Sequence, residues 1–276
     1  MIKIIKPKVE LLRQGKDIIA HVARCARICY KRETGNDVAL YNNLIQNHHW
    51  SMFRHETHYY MIPINAVPLW IRLYCSAILE GANIIGIDIR FDYNNVFMVV
   101  NGNWYLDHKY KAEEIIGWEK TPEEFANLSE TAWNMMRYTF KVTTQISTSR
   151  ELNRVSPNNI SEQSTRYVYE NGTICKPYWM TDDIDIVTEK KIYTDIYKKS
   201  FNTYKILVDC GMHIQDARGV LPLDTATRCV YTYSIDEWRK IIDLRYYGTT
   251  GKPHPNAKII AGMIRDELMN IGYDFR

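Results

Sequence analysis

The chain has 276 residues, 46% of them hydrophobic, enough to bury a full core, and a single domain over 1–276 is expected rather than two small ones. Its formal net charge of +3 is spread without a long lysine or arginine run, which argues against a sequence-independent grip on duplex nucleic acid, so no nucleic-acid partner is expected. Cys25, Cys29, Cys75, Cys175, Cys210 and Cys229 lack the CxxC spacing of a zinc site and do not read as a disulfide scaffold, so no metal is expected. The opening MIKIIKPKVE has no apolar run after its lysines, and no stretch is long enough to span a bilayer. A cytoplasmic location without a membrane partner is the expectation.

In chain order, IKIIKPKVELL reads as a strand, and DIIAHVARCARICY repeats its apolar residues at helical spacing, with Cys25 and Cys29 as core thiols on that helix. HETHYYMIPI alternates as a strand. VPLWIRLYCSAILEG predicts a helix between Pro68 and Gly81. From IIGIDIRF through NNVFMVVNGNWYL the pattern predicts a hairpin with Asn101-Gly102-Asn103 as its turn. TPEEFANLSETAWNMMRY predicts one helix capped by Thr121, with Pro122 and two glutamates in its first turn. YTFKVTT follows as a strand, and EKKIYTDIYKKSFNTYKILVDCG as a long amphipathic helix. SIDEWRKIIDLRYYG opens on a Ser234/Glu237 capping box and closes at Gly248, and HPNAKIIAGMIRDELMNIG is a final helix with Pro255 in its first turn. Strands and helices mix without regular βαβ alternation, and neither GxGxxG nor a P-loop occurs, so the expected class is α/β of the α+β kind, a mixed sheet with helices.

The stretch RELNRVSPNNISEQSTRY, residues 150–167, sets polar residues at nearly every position between two apolar runs. Glu151 and Arg154 stand one helical turn apart, and Pro157 is expected to stop that helix. Three arginines with hydroxyls and amides between them are the inventory for holding a polar anion such as a phosphate. Arg245 falls two turns beyond Trp238 on the inward side of its helix, where it needs a carboxylate or a ligand.

The same stretch resembles the signature of the flavin-dependent thymidylate synthases, with Arg154 at its first position and Glu162, Ser164, Arg166 and Tyr167 in its back half. CARICY, HHWSMFRH, FKVTT, ARGVLPLDTATR and DLRYYGTTGKPHPNAK resemble further family segments in the family's order. The resemblance implies an α/β fold assembled as a homotetramer with active sites at subunit interfaces. It also implies FAD as cofactor, with NADPH and methylenetetrahydrofolate as co-substrates, for reductive methylation of dUMP to dTMP. By position it assigns Glu151, Arg154, Glu162, Gln163, Ser164, Thr165, Arg166 and Arg228 to dUMP. It assigns His49, Ser51, Arg154, Val155, Ser156, Asp243 and Arg245 to FAD, and places Lys258 where the family has the arginine that polarises the uracil.

The chain departs from the family where Arg154-Val155-Ser156 stands for Arg-His-Arg, Asn159 for Ser, and Asp243 for Asn. These positions lie where flavin and folate would meet. Two other readings therefore stay open: a related flavin- and folate-dependent enzyme acting on another pyrimidine nucleotide, and a nucleotide-binding homologue without catalysis.

Overall fold

The computed structural model describes residues 2–154, 159–181 and 186–275. The opening strand is two strands, β1 (Lys3–Ile5) and β2 (Lys8–Leu12), because Pro7 between them has no N–H for a ladder. Helix α1 (Ile18–Arg27) starts at Asp17, whose side chain accepts from the Ala20 N–H, and α2 (Asp37–Gln46) is capped the same way by Asn36. Cys29 sits beyond α1 in a 3-10 turn (Ile28–Tyr30), so it does not share the helix of Cys25 as expected; all the cysteines are free thiols.

After β3 (Thr57–Pro63), helix α3 (Leu69–Leu79) runs between Pro68 and Gly81 as expected. The hairpin of β4 (Ile87–Phe91) and β5 (Asn95–Asn101) turns elsewhere than the sequence suggests. Asp92 accepts from the N–H groups of Asn94 and Asn95 and makes the turn, while Asn101 caps α4 (Gly102–Asp107) through Trp104 N–H. Gly102 is needed there, since a Cβ would meet Glu56 Oε2 at 2.6 Å. Next come α5 (Lys109–Ile115) and β6 (Glu119–Lys120).

The single helix expected from Thr121 is two, α6 (Pro122–Ala126) and α7 (Glu130–Trp133). The Thr121/Glu124 capping box is present, but Ser129 caps a fresh start by accepting from Ala132 N–H, a local alternative that its short side chain offers. Then follow β7 (Arg137–Gln145), α8 (Ile146–Leu152), β8 (Ile160–Glu162) and β9 (Thr173–Cys175). Helix α8 ends at Leu152, earlier than Pro157, which lies outside the described residues. The remaining elements are α9 (Val187–Asp209), α10 (Ile214–Ala217), β10 (Ala226–Ser234), α11 (Ile235–Ile242) with its Ser234/Glu237 capping box, and α12 (Pro255–Ile271).

Two antiparallel four-stranded sheets, ordered β2-β7-β10-β8 and β4-β5-β3-β6, carry the fold, with a parallel pair β1-β9 beside the first. Period-two alternation explains why β5 is buried along its length: Phe97 and Val99 enter one core, and Val96, Met98 and Val100 enter the other. The first core is shared by both sheets, since Tyr59 and Phe97 meet residues of β7, β10, α11 and α12 there. On β7 and β10 the alternation puts Phe140, Val142, Cys229 and Tyr231 into that core, while Val230 faces Cys25 and Ile28 on the α1 side. None of the described helices is long and apolar enough to cross a membrane.

Candidate functional site

The expected site residues fall on two faces of the first sheet. Cys229 pairs with Glu162 across β10 and β8, so their side chains share a face, and Thr227 lies on it too. There Glu162 Oε1 accepts from Ser149 Oγ at 2.9 Å and Thr227 Oγ1 at 3.0 Å, which orients the carboxylate. The intervening Arg228 belongs to the opposite face, where it meets Glu33 at 3.5 Å.

On the Glu162 face, Glu151 gathers cations from two elements. Its carboxylate lies 3.6 Å from Arg154, whose side chain is 70% exposed, and 3.7 Å from Arg245, whose Nε also donates to the Glu151 carbonyl at 2.9 Å. The inward arginine, expected to meet a carboxylate or a ligand, thus meets a carboxylate. Arg245 stands on a π-helical turn, Asp243–Tyr247, that extends α11 and closes at Gly248 in the left-handed conformation, φ 75°. Such turns recur at functional sites. Asp243 is exposed, and its carbonyl accepts from Gly248 and Thr249. Lys258, in the first turn of α12, is exposed with its ammonium 5.3 Å from the centre of the Tyr246 ring, which the Arg265 guanidinium also covers at 4.0 Å.

On the other face, the chain leaves β8 through Gln163, whose N–H donates to the Arg228 carbonyl at 2.8 Å. Gln163 is buried, and its amide nitrogen donates to Glu170 Oε1 at 2.8 Å. The turn Ser164–Tyr167 then rests on the α1 side through Ser164 N–H to the Cys29 carbonyl, 3.0 Å. Thr165 Oγ1 accepts from Arg218 at 3.1 Å, and Arg166 donates to Gln215 Oε1 at 3.3 Å. Arg166 is exposed, with its guanidinium 5.3 Å from the Tyr167 ring centre.

His49 and Ser51 are exposed on the segment after α2, and among the described residues no hydrogen bond or ion pair joins them to Arg154 or Arg245. Val155 and Ser156 lie outside the described residues. As a donor set, exposed guanidinium, imidazole and hydroxyl groups suit the diphosphate of a flavin dinucleotide.

Several residues that bear on the site are not among those assigned from the sequence, although Arg218, Thr227 and His55 lie in segments that resemble the family's. Ser149, Thr227, Gln215 and Arg218 act through register and packing. His55, at the end of the segment HHWSMFRH, is fully buried and bridges Thr232 Oγ1 and Ser161 Oγ, beside Glu162 in the chain, at 2.8 Å each. Burial, with His21 and Arg137 nearby, pushes His55 down to about 3, and burial with Arg24 pushes His21 to about 4, so both are neutral imidazoles. Burial raises the thiols of Cys29 and Cys229, the latter further beside Glu162, which removes both as thiolate nucleophiles.

A family model for the thymidylate synthase complementing protein matches residues 122–271. The chain is similar to two solved structures of a UMP/dUMP methylase, PolB, from Streptomyces cacaoi. With the form bound to 5-Br UMP it shares 16% identity over 98% of this chain and 92% of that chain, TM-score 0.49. With the form bound to 5-Br dUMP it shares 18% identity over 98% and 93%, TM-score 0.47. No curated protein matches.

Proposed function

Because the chain belongs to the thymidylate synthase complementing protein family, that of the flavin-dependent thymidylate synthases, we propose that it methylates C5 of dUMP to give dTMP, with FAD as cofactor and NADPH and methylenetetrahydrofolate as co-substrates. The family membership makes it a nucleotide methyltransferase; the choice of dUMP and of the reductant is the finer reading. The observation that carries it is the turn Ser164–Tyr167, which sets hydroxyls and exposed guanidinium groups together at the end of β8, beside the strand that bears Arg228.

In this reading the residues divide the work by charge. Arg166 and the Ser164 and Thr165 hydroxyls hold the phosphate, which suits arginine's planar fork. With Oε1 of Glu162 committed to Ser149 and Thr227, Oε2 is the oxygen left to accept from the nucleotide. Lys258 offers a compact positive charge that favours negative charge on the N3 and O4 side of the uracil, which makes C6 a better hydride acceptor. Arg154, Arg245, His49, Ser51 and Asp243 are the described residues that would hold FAD; when bound, it supplies the hydride. Glu162 and Arg228 occupy opposite faces of one sheet, so in this reading they serve one nucleotide together when a second chain supplies one of them, and the chain assembles as a homotetramer.

The test is tritium release from 5-tritiated dUMP by the purified, flavin-loaded protein with both co-substrates, run beside 5-tritiated UMP and dCMP. Release from dUMP in preference to the others is expected. Release from dCMP or UMP instead reassigns the nucleotide, and release from none, by a protein that retains flavin, refutes the methyl transfer.

A further inference from the structure

Resting on the nucleotide reading above, we infer that Arg218 is a second phosphate cation, which closes on the nucleotide from the side opposite Arg166. Arg218 begins the 3-10 turn Arg218–Val220 after α10, far in sequence from the 164–167 turn, and that turn is tied to α9 by the hydroxyl of Ser200 on the Val220 carbonyl. Two links cross the gap between the segments in opposite directions: Arg218 Nη1 reaches Thr165 Oγ1 at 3.1 Å, and Arg166 Nη2 reaches Gln215 Oε1 at 3.3 Å.

The chemistry of these links is what points to an anion. Both guanidinium groups are exposed, and among the described residues neither forms an ion pair, although Arg154, Arg228 and Arg245 each meet a carboxylate. Their partners are a neutral hydroxyl and a neutral amide. Both guanidinium groups span the same gap between the 164–167 turn and residues 215–218, and a dianionic phosphate bound there would offer oxygens to both forks and offset the repulsion of two like charges. Ser164 Oγ accepts from Arg166 N–H at 3.3 Å, which fixes the hydroxyl on the same turn. A guanidinium that served only as a clip to Thr165 would need no charge.

That difference gives the test. Arg218→Gln keeps a donor for Thr165 and loses the cation; Arg218→Lys keeps the cation and loses the fork. Affinity is measured by titration calorimetry for dUMP and for deoxyuridine, which lacks the phosphate, with melting temperatures confirming that each variant folds. The expected result is a loss of about 10–100-fold for dUMP in Arg218→Gln, the scale of one charge-assisted hydrogen bond, little change for deoxyuridine, and partial retention in Arg218→Lys. Equal losses for dUMP and deoxyuridine would make Arg218 a clip and overturn the inference. So would unchanged dUMP affinity in Arg218→Gln when the wild type prefers dUMP to deoxyuridine. Failure of the wild-type protein to bind dUMP at all overturns the nucleotide reading itself, and this inference with it.

Discussion

Replacing His58 with glutamine should make the protein's stability much less dependent on pH on the alkaline side. His58 is buried between two carboxylates, with Nε2 2.7 Å from Glu56 Oε1 and Nδ1 2.7 Å from Glu119 Oε1, and its ring is stacked on Tyr105 at 4.1 Å. Burial alone depresses the imidazole, but the hydrogen bonds and charges of Glu119 and Glu56 outweigh it and raise the group to about 9. A folded pKa above the unfolded value of about 6.5 means the stabilisation is complete below about pH 6.5 and is lost as pH rises through about 9. The shift corresponds to about 3 kcal/mol, and removing the cation from between buried acids has a cost of similar order, about 3–5 kcal/mol. Urea unfolding of wild type and His58→Gln should therefore differ by about 3 kcal/mol near pH 6, with the gap closing above about pH 9. A gap of the same size at both pH values would show that His58 stabilises by shape and stacking, and not as a cation.

The acid side should be governed by His21 and His55, whose folded values of about 4 and about 3 lie below the unfolded one, so stability is lost as pH falls from about 6.5. Each should cost about 1.4 kcal/mol per pH unit until its folded value is reached; a profile flat from pH 6.5 to about 4 would contradict the burial of both as neutral rings. Arg166→Ala should weaken dUMP binding by about 10–100-fold without lowering the melting temperature, since the side chain is exposed; normal binding by an early-melting variant would make Arg166 structural. Lys258→Ala should lower turnover by about 10²-fold with much less effect on dUMP affinity, while Lys258→Arg keeps activity. Wild-type turnover in Lys258→Ala would leave the lysine only its contact with Tyr246. Sedimentation should show a tetramer at micromolar concentration, and an active monomer would contradict a site shared between chains.

Local chemistry was legible in the sequence wherever a few neighbouring residues decide the backbone. Thr121 and the Ser234/Glu237 box start their helices where the sequence places them, and Pro255 and Gly248 mark the ends expected of them. The inward position of Arg245 calls for a carboxylate or a ligand, and Glu151 supplies the carboxylate. What failed locally did so where two short-range options compete: Asn101 could turn a hairpin or cap a helix, and Ser129 could continue a helix or begin one. Only tertiary structure decided that Glu162 and Arg228 lie on opposite faces, because the pairing of Cys229 with Glu162 is a register across strands far apart in sequence. It also decided that His55 and His58, three residues apart, are respectively a neutral ring among hydroxyls and a cation between acids. A side chain's charge in the interior depends on what the fold packs around it, and those neighbours come from distant parts of the chain.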